Sequence, residues 1–106
     1  MRPEAFRLTE AGLAVLREAG FSPDSAARAF RVLFLYVFGT ATFNDPEVTP
    51  SRRKELAIAV LALPDEEFPV LSEMALEMGE SMGGEAQFEF GLDVVLAGLA
   101  AQAPRA

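Results

Sequence analysis

Between Pro23 and Phe43 the sequence PDSAARAFRVLFLYVFGTATF follows a helical pattern whose second half is apolar on almost every side. Ser22 stands where a cap is needed, Pro23 suits the first helical position and Asp24 suits the positive end of the dipole. Arg28 and Arg31 give the early turns a polar side, but from Val32 to Phe38 none remains. A helix that is apolar all round has to be enclosed all round. A chain of 106 residues is long enough for one core and too short for two, so it supplies few elements to do the enclosing.

The remaining punctuation also predicts helices. Pro3 opens a first one, Phe6, Leu13 and Leu16 recur at its period, and Gly20 stops it, giving a span of about Pro3 to Ala19. The prolines and polar turn formers of NDPEVTPSR predict an exposed loop, with Thr49 and Pro50 starting a helix to about Leu61. Pro64 and Asp65 break the chain again, and Glu66 and Glu67 suit the first turn of a helix reaching Glu80. Gly83 and Gly84 stop it, and a fifth helix runs from Glu85 to about Ala101. No stretch alternates with the two-residue period of a half-buried strand. The expectation is an all-α fold of about five helices, forming one domain over residues 1–106.

Composition narrows function mainly by exclusion. Hydrophobic residues make up 51% of the chain and its mean hydropathy is +0.22, so some apolar surface is expected to be covered by a second chain. The net charge of −7 opposes binding to a phosphate backbone, and Arg52, Arg53 and Lys54 read as a solvated patch. With no cysteine, histidine or tryptophan there is no thiol nucleophile, imidazole base or His/Cys metal site. Carboxylates remain, at Glu66 and Glu67, Glu73 and Glu77, and Glu80 and Glu85, but no partner is positioned for them and they read as solubilising acids. No enzymatic activity, cofactor or metal is expected. The first residues lack an apolar stretch behind a basic start and no run of eighteen apolar residues follows, which predicts a soluble cytoplasmic protein with no membrane contact.

The segment FEFGLDVVLAGLAAQ, residues 88–102, carries two glycines seven apart. Gly91, Val95, Gly98 and Gln102 step by four, three and four, so they share one helix face with Leu92 and Leu99 beside them. A glycine inside a helix costs about 0.5 to 1 kcal/mol relative to alanine, which suggests a compensating close approach by another helix. Periodicity leaves open whether that helix belongs to the same chain or to a second copy. Gly39 in the long helix makes the second case more concrete, since two such helices per chain could pair with their symmetry mates as an intermolecular four-helix bundle.

The stretch EAGFSPDSAARAFRVLFLYVFGTA, followed by LPDEEFPVL and FEFGLDVVLAGL, resembles the C-terminal effector-binding and dimerisation domain of TetR-family transcriptional repressors, near the tetracycline-repressor branch. The most specific pieces are Gly20-Phe21-Ser22, Gly39, and Phe88-x-Phe90-Gly91-Leu92 with Gly98-Leu99. The resemblance implies a homodimer whose bundle is built from the long and last helices, with Leu33, Val37, Gly91, Leu92, Val95, Gly98, Leu99 and Gln102 at the contact. It implies a small-molecule site lined by Phe30, Phe34, Phe38 and Phe43, with Leu13 opposite and Met74 and Met78 closing it, in the family often from the partner subunit. Core packing is the other reading of both the phenylalanine stripe and the Met74, Met78 and Met82 stripe, and the two can hold together.

Compared with the family pattern, the chain begins well inside the effector domain, so DNA is expected to be reached only through a missing N-terminal helix-turn-helix domain. Tetracycline-responsive members hold their magnesium-bound drug with a histidine and with an acidic residue four positions past the glycine matching Gly39. Phe43 stands at that position and the chain has no histidine, which implies a more apolar effector. A helical homodimerisation module without ligand or DNA binding is the alternative.

Overall fold

A computed structural model describes residues 2–45 and 47–104. Pro46, one of the two prolines expected in the second loop, lies outside the described residues. The described residues contain helices and turns and no strand. A 3-10 turn at Pro3–Phe6 leads into α1 (Arg7–Glu18), followed by α2 (Pro23–Phe43), α3 (Pro50–Leu61), α4 (Pro69–Glu73), α5 (Ala75–Glu80) and α6 (Glu85–Gln102). The chain divides into two compact units, one of Met1–Thr40 with Gly91–Ala106, the other of Ala41–Phe90.

In the first unit the join between α1 and α2 is set by local bonds. Gly20, at φ +99°, donates its N–H to the Arg17 carbonyl (3.0 Å), and the Phe21 N–H reaches the Leu16 carbonyl (3.1 Å). This is the Schellman closure of a helix end, with the accompanying apolar contact between Leu16 and Phe21. Arg17 Nη1 then donates to the Phe21 carbonyl at 2.8 Å. Ser22 Oγ accepts the Ser25 N–H at 3.2 Å and starts α2 as its sequence predicts. Phe21, Ala26 and Ala29 are buried at this junction, and Leu13, Leu16, Leu99 and Ala103 pack on them.

The second unit is built around α3 and α5. Thr49 Oγ1 accepts the Arg52 N–H and caps α3. Ala57, Val60, Ala75 and Gly79 are buried, and their small size brings the two helices close: a methyl group on Gly79 would sit 2.5 Å from the Arg53 carbonyl oxygen. The single helix expected from Glu66 to Glu80 is instead a turn followed by two short helices. Pro64 accepts the N–H groups of Glu67 and Phe68, Pro69 opens α4, and the backbone at Met74 (φ −105°, ψ 18°) departs from helical geometry before α5 begins. The first helix differs too, since its leading turn is 3-10 and α1 proper starts at Arg7.

By length and hydropathy α2 is also able to cross a bilayer, which the sequence reading did not expect. Its face at Ala26 and Ala29 is packed within the first unit, and Arg28 and Arg31 interrupt it with charges that are costly in hydrocarbon.

Candidate functional site

Phe30, Phe34 and Phe38 are spaced by four on α2, and that spacing stacks their rings along one side of the helix. The ring centroids of Phe30 and Phe34 are 6.3 Å apart at 25° between planes, and those of Phe34 and Phe38 are 5.6 Å apart at 11°. The Arg31 guanidinium carbon lies 6.0 Å from the centre of the Phe34 ring, within the range of a cation–π contact. Exposure increases along the stack: Phe30 is half-buried, Phe34 is 43% exposed and Phe38 62%.

The buried end is covered by α1. A methyl group on Gly12 would lie 2.8 Å from Phe30 Cε2, so only a glycine lets α1 lie this close over the ring. Gly12 is a residue that sequence reasoning missed, although it follows Phe6 and precedes Leu13 and Leu16 on the expected first helix. Leu13 packs against the cluster of Phe21, Ala26 and Ala29. The other expected lining residues belong to the second unit, where Phe43 is 89% exposed and Met74 and Met78 are exposed as well.

The first unit also has a half-open cleft of about 230 Å³ between α2 and α6, lined by Phe21, Ser25, Arg28, Ala29, Val32, Leu99 and Gln102. None of the expected ligand residues lines it, whereas Leu99 and Gln102 come from the expected dimer contact. The signal for its α2 wall was present in sequence as Ser25, Arg28 or Ala29, and Val32, at helical steps. Arg28 at its rim is paired to Asp24 at 3.2 Å, both side chains being largely in solvent.

The residues expected at a dimer contact divide into two groups. Leu33, Leu92, Val95 and Leu99 are half-buried, and Gly91 is covered by the phenol group of Tyr36 on α2 of the same chain. Val37, Gly98 and Gln102 are exposed, and an atom placed as a side chain on Gly98 meets nothing within 4 Å. The open sides of the two helices are apolar. On α6, Val94, Gly98 and Ala101 follow one another at steps of four and three, and on α2 Val32, Leu35 and Gly39 step by three and four. A methyl group on Gly39, like one on Gly98, would meet nothing within 4 Å.

In the second unit, Arg53 is not part of a solvated patch: it is half-buried, and its guanidinium donates to the carbonyls of Glu80 and Gly83. The carboxylates at Glu66, Glu67, Glu73, Glu77, Glu80 and Glu85 are exposed.

Comparison with known proteins adds one finding. The family model described as tetracyclin repressor-like, C-terminal domain, matches residues 1–103. No curated protein and no solved structure matches the chain.

Proposed function

This chain belongs to the family of tetracyclin repressor-like C-terminal domains, a regulatory rather than catalytic family, and from that membership we propose that it is the effector-sensing and dimerisation part of a transcriptional regulator. In this reading two copies associate through α2 and α6, a small apolar molecule binds beside the phenylalanine stack, and DNA is reached through a DNA-reading domain outside these residues. A cytoplasmic location belongs to the same proposal.

The observation that carries the proposal is α6. From Gly91 to Ala101 its one charged residue is Asp93, yet none of the helix is buried. Phe90, Val94 and Leu96 are 66%, 58% and 47% exposed, which leaves an apolar flank of this helix in solvent. A two-fold contact between open faces of α2 and α6 is the economical way to cover it. The contact is then centred on Val94, Gly98 and Gln102 of α6 and on Val32, Leu35 and Gly39 of α2, with Val37 at its flank and Leu33, Gly91, Leu92, Val95 and Leu99 supporting it from the side that faces their own unit.

The effector half of the proposal is supported by Phe30, Phe34 and Phe38, which form a continuous aromatic wall with one covered and one open end. An effector would act by binding one arrangement of the dimer better than another and shifting the population toward it. The second reading, a homodimerisation module without ligand, is favoured by the exposure of Phe34 and Phe38, 43% and 62%, which leaves the aromatic wall open where small-molecule sites are mostly enclosed. A denaturation series with and without a panel of hydrophobic drugs and dyes separates the two. A ligand at a hundred times its dissociation constant adds about 2.7 kcal/mol to stability, whereas a module without a site keeps its midpoint throughout the panel.

A further inference from the structure

Two stretches of the second unit, forty residues apart in sequence, are tied together where α2 stops and α6 starts. Asn44 directly follows the last residue of α2, and Gly84 directly precedes the first residue of α6. Asn44 Nδ2 donates to the Gly84 carbonyl at 3.2 Å, and the Gly84 N–H donates to the Asp45 carbonyl at 2.8 Å. The Arg53 guanidinium, reaching across from α3, donates through Nη1 to the Glu80 carbonyl at the end of α5 and through Nη2 to the Gly83 carbonyl at 3.4 Å.

The backbone between these bonds has no room for side chains. Gly83 and Gly84 have φ of +64° and +91°, a region that other residues rarely adopt. A methyl group on Gly83 would lie 2.6 Å from Val48 Cγ2 and 2.7 Å from the Asp45 carbonyl oxygen, and one on Gly84 would lie 2.8 Å from Arg53 Nη2. Four segments therefore converge on one small region: the exit of α2, the first turn of α3, the end of α5 and the entry to α6. Gly79, one residue before Glu80, is packed against the backbone of Arg53 itself, so α5 cannot move along α3 without moving the carbonyls that the guanidinium holds.

We propose that Arg53 and Asn44 form a latch that couples the packing of α5 on α3 to the adjoining ends of α2 and α6, and so passes a change around Met74 and Met78 to the helices through which two copies associate. This rests on the dimer reading given above. Coupling between two equilibria is reciprocal, so association must tighten the latch as much as the latch favours association.

The test uses the full chain and two variants, Asn44→Ala and Arg53→Gln, with circular dichroism as the check on folding. Hydrogen exchange is followed at the amides of Gly84 and Phe88, the second of which donates to the Gly84 carbonyl at 3.2 Å. The dissociation constant of the dimer is measured by sedimentation on the same samples. Both variants exchange these amides about tenfold faster and dissociate at a roughly five- to tenfold higher concentration, within the usual range of coupling between sites. Diluting the unaltered chain below its dissociation constant speeds the same amides. A dimer that forms with unchanged affinity in both variants, or whose latch amides ignore dilution, overturns the coupling while leaving the dimer in place. A chain that is monomeric at every concentration overturns the dimer reading and the coupling with it. If Arg53→Gln fails to fold, Asn44→Ala, which removes one side-chain bond, carries the test alone.

Discussion

The phenol oxygen of Tyr36 lies against the bare α-carbon of Gly91, in the space that a methyl group there would need. The rest of the ring follows closely, with Cζ at 2.8 Å and Cε2 at 3.0 Å from that position, so moving the hydroxyl alone would not make room. The glycine is thus explained within one chain: it admits an aromatic side chain from α2.

Gly91→Ala should therefore destabilise the fold. Overpacking of this kind costs about 1 to 3 kcal/mol, offset by about 0.5 to 1 kcal/mol from the better helix propensity of alanine. A net loss near 1 kcal/mol in urea denaturation is expected. The loss should shrink when the same change is made on a Tyr36→Phe background, and an identical loss on both backgrounds would show that the hydroxyl is not what the methyl meets.

A larger effect is expected at Gly79. A methyl group there meets the Arg53 carbonyl oxygen at 2.5 Å, which is backbone and cannot rotate away, and the Ala57 methyl at 3.5 Å. Gly79→Ala forces α5 off α3 and should cost about 2 kcal/mol, within the usual range for overpacked cores. Denaturation followed by helical signal measures it, and a variant as stable as the parent would mean that α3 and α5 do not pack this closely in solution.

Phe34 separates ligand binding from association. It sits at the middle of the aromatic stack, 6.3 Å from Phe30 and 5.6 Å from Phe38, and is 43% exposed, so truncation should cost less than the 3 to 5 kcal/mol typical of a core phenylalanine. Phe34→Ala should reduce uptake of hydrophobic dyes more than it changes dimer mass, measured by fluorescence titration beside sedimentation. The reverse outcome would move the residue from the ligand wall to the interface.

The helix boundaries were most legible where proline or a capping side chain fixes the backbone. Pro50 after Thr49 placed α3, and Pro23 after Ser22 placed α2, because those residues act on φ and on the first free N–H groups regardless of what packs around them. The break at Met74 had no such mark, and the acids at Glu66 and Glu67 imitated a helix start that the chain makes at Pro69. The site was less legible for a different reason. The steps from Gly91 through Gly98 put both glycines on one face, but in a helix whose apolar residues are spread round its circumference the pattern does not say which neighbour meets which residue. Tyr36 fills one notch and leaves the other open. Arg53 was misread for a related reason, since carbonyls presented by a distant turn leave no trace beside it in sequence.

The open notch at Gly98 decides the central claim. In a single chain a methyl group there meets nothing within 4 Å and would gain helix propensity, whereas between two closely packed copies a side chain would keep their backbones apart. Sedimentation equilibrium of the parent chain and of Gly98→Leu over a dilution series reads this directly. The account predicts a parent mass of twice 11.4 kDa that falls only at high dilution, and a variant that dissociates at markedly higher concentration. A parent that stays at 11.4 kDa, or a variant whose mass follows the parent's at every concentration, would contradict it.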